Sequence, residues 1–196
     1  MSIEQNFENL IKERNGLLKY SDLIQVGYNQ RQIRNLESNN IIKKVSRGIY
    51  YHKDYFPDML KVYQIENKKL IYSHETAAYL HDLTDRFPRM FSVTTESGYH
   101  LRKSNELNVF YIKKDYFELG VEDRIDMSGN IVKVYNKERT ICDIIRNKNE
   151  IEQQVYVEVI QNYFKGKIKL NELSQYAKIL GIRAKVFEIV SLMTKP

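Results

Sequence analysis

Four turn-forming groups punctuate the first fifty-three residues and limit what they can build. Asn15-Gly16, Gly27-Tyr28-Asn29, Asn39-Asn40 and Arg47-Gly48 all favour tight turns. The pieces between them allow helices of about three turns at most. Periodicity then decides the type of each piece. Ile3, Phe7, Leu10 and Ile11 fall at helical spacing with charges between them. Ser21 is the expected N-cap of a second short helix that carries Leu23, Ile24 and Val26 and ends at Gly27. Asn29 suits the N-cap of a third helix, with Ile33 and Leu36 on its inner face. Ile41–Ser46 and Ile49–His52 are β-rich runs joined at Arg47-Gly48, which predicts a hairpin. Helix, helix, tight turn, helix, hairpin is the order of a winged helix-turn-helix.

Charge is concentrated in that same piece. Residues 1–53 hold nine Lys and Arg against five Asp and Glu, whereas residues 54–196 hold 22 against 20. A basic balance confined to one small unit points to an acidic partner. A helix turns by about 100° per residue, so Leu36 lies about 300° from Ile33, and the two define a buried face. Arg31, Arg34, Asn35 and Ser38 then cluster within about 100° on the opposite side. That is the face a recognition helix offers to the major groove. Tyr28, Asn29 and Gln30 stand at its N-terminal end. Arg matches guanine and Gln or Asn matches adenine, and all three can bind phosphate. Lys43, Lys44 and the turn residue Arg47 would follow a phosphate backbone or a minor groove. Ser21, at a helix start, could bind phosphate with its hydroxyl and neighbouring amides. The candidate DNA contacts are therefore Ser21, Tyr28, Asn29, Gln30, Arg31, Arg34, Asn35, Lys43, Lys44 and Arg47.

The remainder reads as a connector over 54–70 and a mixed α/β domain over 71–196. A helix starts at Ser73 and carries Ala77, Ala78, Leu80 and His81. Phe91–Thr95, Leu107–Ile112 and Ile131–Tyr135 are expected strands, the last with Val132 and Val134 on one face. Asn136 caps a helix with Ile141, Ile144 and Ile145 inside. From about Glu150 the chain is helical, with Val155, Tyr156, Val159, Ile160 and Phe164 in one stripe. Two further helices, Leu170–Leu180 and Ala184–Leu192, are separated by Gly181. The fold class is α+β, with the N-terminal winged helix-turn-helix as domain 1–53 and a helical C-terminal end.

The chemistry-bearing residues point to a binding protein and not to an enzyme. His74-Glu75 opens like a helical zinc-protease motif, but Ala78 stands where the second His belongs. His81 lies two turns further on, a spacing expected of structural residues. Glu75 and Glu138 sit in first turns, where the helix dipole favours a carboxylate. The single cysteine, Cys142, excludes a disulfide framework and a cysteine-rich zinc site, and it sits among core residues. No nucleophilic triad, phosphate loop or dinucleotide fingerprint is present. No cofactor and no metal are expected. Lys165, Lys167 and Lys169 form either a solvated loop or a second phosphate contact. The N-terminus lacks a basic start followed by an apolar core, and no stretch approaches a membrane span. The cytoplasm is therefore the expected compartment, with no membrane partner.

Three segments in this order carry a family resemblance. They are Val45-Ser-Arg-Gly-Ile-Tyr50, Ser73-His-Glu-Thr-Ala-Ala-Tyr-Leu-His-Asp-Leu83 and Val134-Tyr-Asn-Lys-Glu-Arg-Thr-Ile-Cys-Asp143. Leu173–Ile182, with Tyr176-Ala177-Lys178, also fits. With them the chain resembles the AbiEi family of antitoxins from bacterial abortive-infection toxin–antitoxin systems. The resemblance implies a repressor of its own operon whose winged helix binds inverted repeats in the promoter. It implies that the C-terminal domain counters a nucleotidyltransferase toxin encoded beside it, without a stable complex. By the family pattern, DNA contacts fall on Tyr28–Asn35 and on the Arg47 wing. The toxin's own signature, Gly-Ser followed by paired aspartates, is absent, which puts this chain on the antitoxin side. Glu138-Arg139-Thr140 has no role derivable from sequence beyond bracing a helix start. The alternative is a stand-alone transcription factor whose second domain senses a ligand or protein, and a neighbouring toxin gene would separate the two. A third reading, a DNA-processing enzyme targeted by a winged helix, would require cleavage dependent on a divalent metal.

Overall fold

The computed structural model describes residues 2–193. It is an α+β protein with two sheets, and it divides into two compact units. The N-terminal unit comprises residues 1–65 and takes in Ile125–Ile131. The stretch 54–70, expected as a connector, therefore lies largely in this unit and carries a helix of its own.

In chain order the N-terminal unit holds α1 (Ile3–Glu13), β1 (Leu17–Lys19), α2 (Tyr20–Gln25), α3 (Gln30–Ser38), β2 (Ile42–Ser46), β3 (Ile49–His52) and α4 (Met59–Glu66). Asn15 and Gly16 both take positive φ and stop α1. β1 was not anticipated, because three residues are too few to show alternation. It pairs antiparallel with β3, giving the sheet order β1-β3-β2. Directly opposed residues in an antiparallel pair share a face. Leu18 and Tyr50 point to one core with Phe7, Leu10, Ile11, Leu23 and Ile33 of the first three helices. Leu17, Ile49 and Tyr51 point to the other face, against Val62 of α4.

The segment Ile125–Ile131 is held in this unit by carboxylate chemistry. Asp126 Oδ1 accepts the amides of Ser128 and Asn130 at 2.9 and 3.0 Å. Asn130 Nδ2 donates to Asp58 Oδ2 at 2.7 Å. Burial, and then the neighbouring Asp58 carboxyl, push Asp126 up to about 6. The folded chain thus keeps a proton that the unfolded chain releases near pH 4, so this contribution to stability is lost as pH rises through about 6. Asp126→Asn retains the Oδ1 acceptor and supplies a permanent donor toward Asp58. It is expected to stabilise the protein by about 1 kcal/mol above pH 7 and to have little effect near pH 4. Urea unfolding at the two pH values checks this, and destabilisation at pH 7.5 would show that the native carboxyl is ionised.

The second unit comprises Glu66–Arg124 and residues 132–196. It contains β4 (Ile71–Tyr72), α5 (His74–Leu80), β5 (Phe91–Glu96), β6 (Leu107–Ile112), α6 (Lys114–Phe117), β7 (Val121–Ile125), β8 (Ile131–Tyr135), α7 (Lys137–Arg146), α8 (Gln153–Lys165), α9 (Leu170–Ile179) and α10 (Arg183–Met193). The sheet order is β6-β5-β4-β8-β7, with β4 antiparallel to β5 and parallel to β8, and β5 parallel to β6. Val132 and Val134 are both fully buried, as their spacing predicts. At the centre lies α7, whose residues Glu138 through Ile145 are all buried. Asn136 caps it by accepting the Arg139 amide at 2.9 Å. Buried apolar residues from α5, α7, α8, α9 and α10, among them Ala78, Ile141, Val159, Leu173 and Val186, share one core cluster. Among the described residues, no helix is long and apolar enough to cross a membrane.

Candidate nucleic-acid interface

The geometry of α3 begins at its cap. Asn29 Oδ1 accepts the Gln32 amide at 3.0 Å, and Gln32 Oε1 accepts the Asn29 amide at 2.9 Å. This reciprocal capping box fixes the start of the helix, and with it the direction of every side chain that follows. Ile33 is buried at 2% exposure, while Arg31, Arg34, Asn35 and Ser38 are exposed on the opposite side. Leu36 is half-buried against the helical core. Gln30 is exposed at the first turn. Tyr28 is half-buried, its ring edge-on to Phe7 at 5.2 Å. The Asn29 acceptor is spent on the cap, so only its Nδ2 group remains for a partner.

The hairpin turn is tied to the start of α2. Gly48 takes φ +72°, and its carbonyl accepts the Tyr20 amide at 2.8 Å. The Arg47 turn is thereby tied to the first residue of α2. Arg47, Lys43 and Lys44 are all exposed. The two lysines do not share a face. Lys44 is opposite Tyr50 and lies on the sheet face that carries the first three helices, whereas Lys43 is opposite Tyr51 on the α4 side.

Ser21 departs from expectation. The helix starts two residues earlier, with Lys19 in the cap position and no side-chain cap. The long-range bond from the Tyr20 amide to Gly48 extends the helix backward. Ser21 Oγ instead donates to Asp22 Oδ1 at 3.3 Å. Asp22 places a negative charge in the first turn, which weakens the case for phosphate there.

None of Arg31, Arg34, Lys43, Lys44 and Arg47 forms an ion pair among the described residues. Their charge is therefore not spent within the chain. Lys19, half-buried in β1 opposite Ile49, is a further cation beside the turn. It escaped sequence reading together with its strand.

The other candidates are placed elsewhere. Cys142 is fully buried, and burial pushes its thiol up to about 12, so it is a core residue. His81 Nε2 lies 2.7 Å from the Tyr135 carbonyl, and burial lowers its pKa to about 4, so it is neutral. Lys169 is paired with Glu172 at 3.1 Å, while Lys165 and Lys167 are exposed. Among the described residues, no group of three or more His, Cys, Asp or Glu is placed to hold a metal ion.

The fold has a solved counterpart. The chain is similar to the RV2827C protein from Mycobacterium tuberculosis, with a TM-score of 0.68. The match covers 95% of this chain and 73% of that one, at 12% identity. At that identity the likeness is one of fold. No family model matches the chain, and no curated protein matches it.

Proposed function

We propose that this chain is a DNA-binding transcriptional repressor and antitoxin, with residues 3–53 acting as a winged helix-turn-helix. The observation that carries the DNA reading is the set of exposed cations on α3 and on the β2–β3 hairpin that have no internal ion pair. Support comes from the order α1-β1-α2-α3-β2-β3 with sheet order β1-β3-β2, which suits a recognition helix followed by a wing. Arg31, Arg34 and Asn35 read base edges in the major groove, and Arg47 binds the sugar-phosphate backbone. Promoter DNA with inverted repeats is the expected target. The antitoxin half rests on the sequence resemblance in Ser73–Leu83 and Val134–Asp143. On that reading the second unit counters a nucleotidyltransferase toxin in the cytoplasm.

The test uses point variants of the full chain. Truncation at residue 53 would not remove a whole unit, because α4 and Ile125–Ile131 belong to the N-terminal one. The Arg31→Ala/Arg34→Ala chain is expected to lose repression of a reporter driven by its own promoter. It is expected to keep growth rescue when the toxin is expressed from a foreign promoter. Loss of rescue by this folded variant would end the two-function division. If the full wild-type chain failed to rescue, the antitoxin reading would be abandoned while the repressor reading stood on the reporter alone. In that case the protein would be a stand-alone transcription factor with a sensing domain, which the polar cavity in the second unit favours.

A further inference from the structure

The second unit contains a cavity of about 220 Å³ whose wall includes His74, Arg139, Asp143, Arg146, Asn147 and Glu150. Two of these are buried and carry unspent polar atoms. Arg139 has no exposed surface. Its Nε donates to both oxygens of Asp143 at 3.1 Å, and its Nη1 donates to the carbonyls of Tyr116 and Leu119 at 2.9 and 2.7 Å. The Tyr135 ring lies 4.0 Å from the guanidinium carbon and fixes its plane. Nη2, with two protons, has no partner among the described residues.

His74 is 2% exposed and stacks on Phe110 at 3.5 Å. It takes φ +49°, a conformation uncommon for a residue with a side chain. Its Nδ1 lies 2.9 Å from Ser73 Oγ, which accepts from Thr94 Oγ1 at 2.8 Å. Ser73 keeps its own proton to donate to Nδ1, and this order assigns the imidazole proton to Nε2. Burial holds the ring neutral, with Asp143 pulling the other way. Asn147 also acts on the ring, but no hydrogen bond of ordinary geometry reaches Nε2.

The buried carboxylate acceptors on the wall are already used. Both Asp143 oxygens face Arg139, and Glu150 Oε1 accepts from Asn147 Nδ2 at 2.9 Å at the exposed rim. Arg146, exposed at the same rim, has no ion pair among the described residues. The formal charges of the wall balance, Arg139 against Asp143 and Arg146 against Glu150, so what the cavity offers an occupant is its two buried donors, Arg139 Nη2 and His74 Nε2, with Arg146 at the mouth. Buried polar groups of this kind are satisfied by a partner.

We propose that this cavity binds a small oxyanion, with Arg139 Nη2 and His74 Nε2 donating and Arg146 supplying charge at the mouth. The oxyanion is either free or the phosphate of a larger molecule whose remainder projects outward. The assignment is independent of DNA binding by the N-terminal unit.

The test follows the His74 Nε2 resonance of the full-length protein by nitrogen-15 NMR. Inorganic phosphate, adenosine monophosphate and acetate are each titrated into the millimolar range at constant ionic strength, with chloride as the balancing ion. The chain has four histidines, so single substitutions assign the signal. A saturable shift with at least one of the three anions is expected, and their ranking tells a free anion from a phosphate carried by a nucleoside. Arg146→Gln should weaken that binding about tenfold, the effect of losing one charge-assisted contact. His74→Asn, followed by the backbone amide shifts of Arg139 and Arg146 because the ring signal is gone, should weaken it similarly, since asparagine tolerates the positive φ while withdrawing the ring donor. No saturable shift with any of the three would overturn the assignment, as would wild-type affinity in both variants. If His74→Asn does not fold, the wild-type titration and Arg146→Gln decide the matter.

Discussion

Replacing Arg31 and Arg34 together by alanine is expected to erase the preference for promoter over random duplex while leaving the fold intact. Each arginine in bidentate contact with a base contributes about 1–3 kcal/mol of discrimination. Both side chains are exposed, neither has an internal ion pair, and the α3 cap that orients them does not involve them. Thermal unfolding should therefore stay near wild type. Arg47→Ala should behave differently, weakening promoter and random DNA alike. Each lost phosphate contact also lowers the slope of log K against log salt by about 0.9. Fluorescence anisotropy over a salt series, with both duplexes and all three proteins, separates these outcomes. Wild-type selectivity in the double variant would show that α3 does not read the bases.

Much of this surface is legible in the sequence because local chemistry fixes it. Asn29 and Gln32 form a cap within four residues, and Ile33 then sets the phase that turns Arg31 and Arg34 outward. Asn15-Gly16 and Gly48 adopt the backbone conformations their residue types favour. The failures all involve partners distant in sequence. Ser21 is displaced from the cap because the Tyr20 amide finds the Gly48 carbonyl. β1 exists because Leu17 and Leu18 each face a different core across β3. Lys43 and Lys44 face opposite sides as neighbours in a strand must, but which side carries the helices is set by the pairing with Tyr51 and Tyr50. Ile125–Ile131 joins the N-terminal unit through Asn130 and Asp58, which are 72 residues apart.

In the second unit the strands with clear apolar runs were legible, and Leu107–Ile112 matches its expected bounds. β4, of two residues, and β7, largely exposed and charged, carried no such signal. The polar residues of α7 carry no sequence signal for their burial. Glu138, Arg139 and Asp143 have the composition of a solvated face, yet all three are buried. Composition could not show this, because Arg139 Nη1 is held by the carbonyls of Tyr116 and Leu119, some twenty residues earlier in the chain. The Glu138-Arg139-Thr140 motif is thus architectural at least in part, since Thr140 Oγ1 also donates to the Tyr135 carbonyl at 3.1 Å.

Arg139→Met is therefore expected to be among the most destabilising substitutions in the chain. It removes the ion partner of Asp143 and leaves two loop carbonyls without their donor. Breaking one side of a buried ion pair costs about 3–5 kcal/mol, largely because the remaining charge stays buried. Asp143→Leu alone strands the guanidinium but leaves its two carbonyl bonds, so its cost should be smaller. The double variant carries no uncompensated charge and loses only the carbonyl bonds and the aromatic contact with Tyr135. It should be more stable than Arg139→Met, although it bears one more substitution. Denaturant unfolding of the four proteins gives the coupling directly. Additive losses would mean that the pair is hydrated and screened in solution, and the motif would then not hold α7 in place.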